Sequence, residues 1–251
     1  MKVLVSPTKT MSNKSIIIDD LCTTPIFLSE ANKINNALKN WNLEELKLKM
    51  KLSEKLKAAT DILIKNWTTE IKQNKHAIFS YQGTAFKHME LNSWADQEYN
   101  FAQSNLLILS AYYGVLLPFD MISAYRLEMG IRHQILEDYK DLYSFWKGKI
   151  TNYLNNQDID FILNLASKEY SDAIDKEQVK AKWVNCNFYD YKNNEFKIIG
   201  NYAKAARGLM VDFIVKNKIT SVQGVKQFNV NNYRFDEDNS TSSELNFIRK
   251  N

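Results

Sequence analysis

Val3-Leu4-Val5 runs into Ser6-Pro7-Thr8-Lys9-Thr10, and three later stretches repeat the pattern. Ala77-Ile78-Phe79 runs into Ser80-Tyr81-Gln82-Gly83, Leu107-Ile108-Leu109 into Ser110-Ala111-Tyr112-Tyr113-Gly114, and Phe161-Ile162-Leu163 into Asn164-Leu165-Ala166-Ser167. Short apolar runs bounded by polar or turn residues have the form of buried strands. Residues 2–5, 77–79, 106–109, 161–163 and 196–199 therefore read as five strands of a central sheet. With helical stretches between them, the fold class is α/β: a single domain over residues 1–251, with a mixed central sheet flanked by helices. Ligands of open α/β sheets bind outside the carboxyl ends of the strands, where loops present amide N–H groups and short side chains. If the strands are parallel neighbours, the four polar loops meet at one site. Taken singly, each loop also has the composition of an ordinary strand-ending turn.

Between the strands, Ser29 is placed as the N-cap of a helix through Leu38, and Asn42 with Glu45 three residues on has the pattern of a capping box. Leu46, Leu48, Met50 and Leu52 alternate with polar residues at the period of a strand. Against this, Glu45 and Lys49 form an i,i+4 pair and Ala58-Ala59 suits a helix, so the region reads as helical.

Hydrophobic residues make up 45% of the 251, enough to bury a sizeable core without disulfide staples. No apolar run approaches the roughly 20 residues of a membrane helix, and Val3-Leu4-Val5 is cut off by Ser6-Pro7 too early for a secretory signal. The expectation is a cytoplasmic protein with no membrane partner, in which Cys22 and Cys186 are reduced thiols. The net charge of +4, from 33 basic and 29 acidic residues, is too slight to diagnose nucleic-acid binding by itself. Its distribution is more informative, because acids outnumber bases from Phe235 onward and leave the preceding part more basic. Lys197, Lys204, Arg207, Lys216 and Lys218 face a single acid, Asp212, which reads either as a phosphate-facing segment or as a solvated helix face. Asp236, Glu237 and Asp238 form an acidic loop, read as solvated in preference to a phosphate mimic folded over a cleft.

His76, His88 and His133 show no metal-ligand spacing, so neither a dedicated metal site nor a cofactor is expected. Hydrolase, NTPase and dehydrogenase fingerprints do not occur in the sequence. The candidate chemistry is anion binding. Lys9, just past the first strand, can meet a phosphate as a point charge while the Ser6 and Thr10 hydroxyls bond its oxygens. Arg126 and Glu128, two apart, lie on one side of an extended segment. Arg126 is suited to a bidentate anion contact and Glu128 to positioning it or acting as a general base, although an Arg–Glu pair that merely fixes the loop has the same sequence. Lys204 and Arg207, at i and i+3, share a helix face and can clamp a backbone phosphate. Tyr81, Tyr112, Tyr113, Tyr125 and Tyr170 lie near these loops; a base could stack on one, but most read as core.

Six stretches carry a resemblance: Ser-Pro-Thr-Lys-Thr-Met at 6–11, Leu-Ser-Ala-Tyr-Tyr-Gly-Val-Leu at 109–116, Tyr-Arg-Leu-Glu-Met-Gly at 125–130, Leu-Tyr-Ser-Phe-Trp at 142–146, Asn-Leu-Ala-Ser-Lys-Glu-Tyr at 164–170 and Tyr-Ala-Lys-Ala-Ala-Arg-Gly at 202–208. In this order they resemble the signature segments of the YaaA family across almost the whole chain. The resemblance implies a role in oxidative (peroxide) stress, limiting free intracellular iron and protecting DNA. It also implies a basic cleft and a helix-hairpin-helix element that binds DNA. The hairpin candidate is 109–116, with Ser110 and Gly114 as its phosphate contacts, although such a hairpin usually benefits from a second glycine. Two positions depart from the family pattern: Leu117 stands where an Arg is expected before the proline, and Gly83-Thr84-Ala85-Phe86 where Gly-Asp-x-Tyr is common. The expected partner is DNA, duplex or single-stranded. The alternative is an enzyme or binder acting on a nucleobase, nucleotide or other phosphate-bearing metabolite at the strand ends; oligomeric state is left open.

Overall fold

In the computed structural model, which describes residues 1–12, 18–70 and 75–250, the first apolar run is strand β1 (Lys2–Val5) and a short β2 (Thr10–Met11) follows it. Helices α1 (Leu28–Lys39), α2 (Leu43–Met50) and α3 (Glu54–Asn66) come next. A compact stretch, β3 (Lys75–His76), α4 (Ala77–Ser80), β4 (Tyr81–Gln82) and α5 (Thr84–Lys87), leads to α6 (Asp96–Asn105). Then come β5 (Leu106–Ser110), β6 (Gly114–Leu116), β7 (Met121–Ile122), α7 (Leu142–Asn155), β8 (Phe161–Asn164) and α8 (Lys168–Ser171). A long β9 (Lys182–Lys192) and β10 (Glu195–Lys197) precede α9 (Gly200–Lys216) and α10 (Val222–Val225), and β11 (Arg234–Phe235) and β12 (Glu244–Arg249) are the last strands.

The main sheet runs β11-β12-β9-β8-β1-β5-β6, with β10 paired to β9. Strands β12, β9, β8, β1 and β5 are mutually parallel, and β6, β10 and β11 pair antiparallel, so the sheet is mixed and flanked by helices, as expected. β1 is an interior strand between β5 and β8, with Val3 opposite Leu106 on one side and Leu163 on the other. All five residues of β5 are buried, which is why the apolar runs here show no alternation. No helix among the described residues is long and apolar enough to cross a membrane.

The structure corrects several local readings. The run 77–79 is α4, not a strand. Ala77 N–H donates to the Asp120 carbonyl, Ile78 N–H to that of Pro118, and the Ser80 hydroxyl to that of His76. Ala77 and Ile78 are fully buried, and a short run buried on every side carries no periodicity to separate helix from strand. Ser29 is inside α1, its hydroxyl donating to Glu30, and Phe27 occupies the N-cap without a side-chain bond. The Asn42–Glu45 capping box is present in full and α2 is helical, with Lys49 and Glu45 paired at 2.8 Å. Of the fifth expected strand, 196–199, only Phe196 and Lys197 are extended, within β10. It returns from β9 through Asn193 and Asn194, both at positive φ as a tight hairpin turn needs, and leaves Ile198 half exposed.

Sequence reading missed β9 and β12. β9 is half apolar: Val184, Cys186 and Phe188 are buried while Asn185 and Asn187 point to the other face and bond Glu244 of β12. β12 lies in the acid-rich terminal part and is secured by a buried ion pair, Arg249 to Asp190 at 2.6 Å, with the Tyr233 hydroxyl also donating to Asp190.

The segment 109–116 is a β-hairpin between β5 and β6, not a hairpin between two helices. Gly114 closes it at φ +68°, and a Cβ there would meet the Trp146 ring at 2.6 Å. That indole is fully buried and donates to the Ala111 carbonyl. Gly114→Ala is expected to lower stability by about 2–4 kcal/mol in chemical denaturation, combining the cost of positive φ with overpacking.

Asp120 is fully buried beneath the following loop, accepting from the Thr23 hydroxyl and the Leu117 amide. Burial raises its pKa from 3.8 to about 6 against these two bonds. The folded chain therefore keeps a proton that the unfolded chain has released. The group's contribution to stability is full below about pH 4 and is lost as pH rises through 6, by about 3 kcal/mol. Asp120→Asn is expected to flatten this part of the pH profile, as measured by urea midpoints at pH 4 and pH 7.

Candidate functional site

Beyond the carboxyl ends of β1 and β8 lies a cavity of about 300 Å3. The loop after β1 contributes Ser6, Pro7, Thr8 and Lys9, the loop after β8 contributes Leu165 and Ser167, α8 contributes Glu169 and Tyr170, and Gly83-Thr84-Ala85 with Lys204 and Arg207 of α9 complete the wall. Parallel pairing brings the first two loops together: Leu165 N–H bonds the Leu4 carbonyl, Ser167 N–H donates to Ser6 Oγ at 2.8 Å, and the two serine hydroxyls are 3.2 Å apart. The third segment arrives by close packing. A Cβ on Gly208 would run into the Ala85 carbonyl, and one on Gly83 into the Thr8 side chain, so both glycines allow the walls to approach.

Three of the four expected loops thus converge. The loop after β5 does not reach the cavity: Ser110 and Gly114 are buried and lie outside its lining. Ser110 Oγ accepts from the Tyr112 and Tyr113 amides, so its proton goes to the Tyr125 hydroxyl, which lies 2.8 Å from that of Tyr81. Ser110 and Gly114 are therefore core groups of the β5–β6 hairpin and not phosphate contacts of this cavity. Tyr81, Tyr112, Tyr113 and Tyr125 are buried in the same network, and burial raises the pKa of each. Tyr170 alone of the five lines the cavity. Thr10 lies in β2, outside the lining, and its carbonyl accepts from Thr8.

The cations divide sharply. Lys9 Nζ is 2.6 Å from Glu128, and Arg126 donates to the Lys9 carbonyl at 3.5 Å, so no Arg126–Glu128 pair forms. Arg126 and Glu128 do share one side of an extended segment, alternating with buried Tyr125, Leu127 and Met129. In the basic run, Lys197 pairs with Glu195, Lys216 with Glu90 and Asp212, and Lys218 with Glu98. Lys204 and Arg207 are different: no ion pair to either occurs among the described residues, and both face the cavity. Arg207 is half buried, its Nε has no acceptor, and burial pulls its pKa below the ordinary value, while the nearby Cys186 opposes the shift. An arginine stays protonated through such a shift. Arg126 Nε is likewise buried without a partner.

Sequence reasoning missed Thr8, Ser167 and Glu169 as lining residues, although Ser167 ends the fourth quoted loop. Glu169 Oε1 accepts from the Gly130 amide, which fixes a carboxylate at the rim. The acidic loop is elsewhere, with Asp236 bonded to Asn239 beside β12 at the sheet edge. His76 is a core group: its Nε2 accepts from Ile18 N–H, so the proton is on Nδ1, which donates to the Phe119 carbonyl. Among the described residues no three His, Cys, Asp or Glu side chains are gathered as a metal site would need.

Comparison with known proteins is consistent with the expected resemblance. Residues 1–239 match the family described as peroxide stress protein YaaA. Curated relatives named UPF0246 protein include one from Francisella philomiragia, 37% identical over 99% of this chain and 100% of the relative. Another, from Francisella tularensis subsp. novicida, is 39% identical over the same shares. A match over nearly the whole chain, together with relatives aligned from end to end, places this protein in the YaaA peroxide-stress family.

Proposed function

We propose that this stress-family protein works by taking a phosphate-bearing nucleotide, free or as a unit of DNA, into the cavity beyond β1 and β8. The observation that carries the reading is Arg207: a guanidinium half buried in the cavity wall that, among the described residues, forms no ion pair and finds no acceptor at Nε. Burying a charge without a counter-ion costs stability, and an anionic ligand is the partner that would offset it. The Ser6, Thr8 and Ser167 hydroxyls supply donors for phosphate oxygens, and the volume is at the small end of ligand pockets, which run from about 300 to 1,000 Å3.

DNA is the second reading, and Lys204 favours it. This lysine is exposed at the rim one turn from Arg207, where a strand crossing the cavity mouth would present its backbone. Limitation of free iron enters as an indirect consequence of ligand binding. The commitment of His76 to the core and the burial of Cys186, which raises its thiol pKa, support that view.

The test is a thermal-shift and fluorescence-anisotropy series with nucleotides and with labelled duplex and single-stranded DNA, over a range of salt. A nucleotide at 100 times its Kd is expected to stabilise the wild type by about 2.7 kcal/mol. DNA binding would weaken steeply with salt, with a shallower slope in a Lys204→Ala/Arg207→Ala double variant. Absence of any response to nucleotides and to DNA at low salt sinks the reading. Arg207→Met is expected to leave the free protein as stable as wild type or up to about 2 kcal/mol more stable while abolishing the ligand-induced shift, the mark of a charge kept for function.

A further inference from the structure

We propose that Glu128 makes this cavity selective for a phosphomonoester over di- and triphosphates, by holding the Lys9 charge in an internal ion pair. The inference rests on the phosphate-binding reading of the cavity and adds the class of phosphate it accepts.

The argument is one of charge. Three cations line the cavity, Lys9, Lys204 and Arg207, which on a simple tally would suit a polyphosphate. The Lys9 charge is largely offset, because its ammonium, on a side chain 60% exposed, sits 2.6 Å from the Glu128 carboxylate, which is 30% exposed. Two free positive charges remain, opposed at the rim by Glu169, whose position is fixed by the Gly130 amide. A phosphomonoester carries about two negative charges near neutral pH, which Lys204 and Arg207 can offset only before the opposing Glu169 is counted, so no positive charge is left for a further phosphate. Each further phosphate would bring charge that meets no free cation and that approaches two carboxylates. The volume points the same way, since about 300 Å3 leaves little room beyond one nucleotide. Arg126 does not add to the free charge within the cavity, as it lies outside the lining with one guanidinium nitrogen directed at the Lys9 carbonyl. Glu128 is therefore a positioning residue, setting selectivity through Lys9.

A phosphomonoester can come from a free nucleotide or from the 5′ end of a nucleic-acid strand. Calorimetric titration of wild type, Glu128→Gln and Lys9→Met/Glu128→Gln with adenosine mono-, di- and triphosphate tests the selectivity. For wild type the monophosphate should bind tightest. Glu128→Gln should improve the triphosphate relative to the monophosphate by up to about fivefold, the range of a partly exposed ion pair, and the double variant should lose that gain. A 5′-phosphorylated dinucleotide, titrated beside its unphosphorylated form, separates the sources: tighter binding than the mononucleotide assigns the phosphate to a strand end, weaker binding to a free nucleotide. Equal affinity for the two dinucleotides, a wild-type preference for the triphosphate, or a Glu128→Gln gain that persists without Lys9 overturns the proposal. If none of these compounds binds, the cavity reading itself fails, an outcome distinct from binding in the wrong order.

Discussion

Everything in this molecule is built around the two hydrogen-bond ladders of β1. Four residues near the start of the chain form an interior strand, and both its neighbours run parallel to it from distant parts of the sequence. Because β1 and β8 point the same way in fixed register, the chain leaves them side by side, and Ser6 and Ser167 meet without further arrangement. A one-residue slip of either strand would turn its buried side chains to the opposite face and separate these loops. The cavity is thus a consequence of strand pairing, and its polar lining follows from the amides and hydroxyls needed where two parallel strands end.

How much of this was legible in the sequence depended on whether a segment's burial was one-sided. β1, β5 and β8 are buried on both faces and read as short uninterrupted apolar runs. The α2 cap was readable because capping uses only local residues, Asn42 and Glu45. α4 was misread because Ala77-Ile78-Phe79 is apolar for tertiary reasons, its backbone bonds going to residues some forty positions away. β9 and β12 were missed because their second face is a ladder of asparagines that satisfy one another across the strands, a polar pattern that marks a strand only when its partner is known. The site was legible as to residue type and less so as to neutralisation. Sequence presents five basic residues from Lys197 to Lys218 as equals, whereas three are paired to acids on other segments or on their own helix and two are not.

The family's recurrent stretches fall into two physical groups. Residues 6–11, 164–170 and 202–208 contribute to the cavity wall, and 125–130 adjoins it through Glu128, paired with Lys9, and the Gly130 amide, bonded to Glu169. Residues 109–116 and 142–146 do not touch it. They form the support, where Trp146 fills the space left by Gly114 and bonds the Ala111 carbonyl, and where the serine and tyrosine hydroxyls tie the β5–β6 turn to the segment carrying Arg126. A stretch that carries the resemblance can therefore support a cavity-lining loop without lining the cavity itself.

The central place of β1 also has a meaning in time. On a ribosome, the partner strand β8 is made about 160 residues after β1, an interval of roughly 8–30 s at 5–20 residues per second. Both edges of Val3-Leu4-Val5 are bare until β5 is made, about 100 residues after β1, and the edge that β8 will cover is bare through the whole interval, the form of segment that pairs with other chains. Its flanks are those that restrain such pairing: Lys2 places a charge at one end, and Pro7, which lacks an amide hydrogen, stops extension at the other. The proline that turns the chain into the cavity wall of the folded protein thus also guards the nascent one.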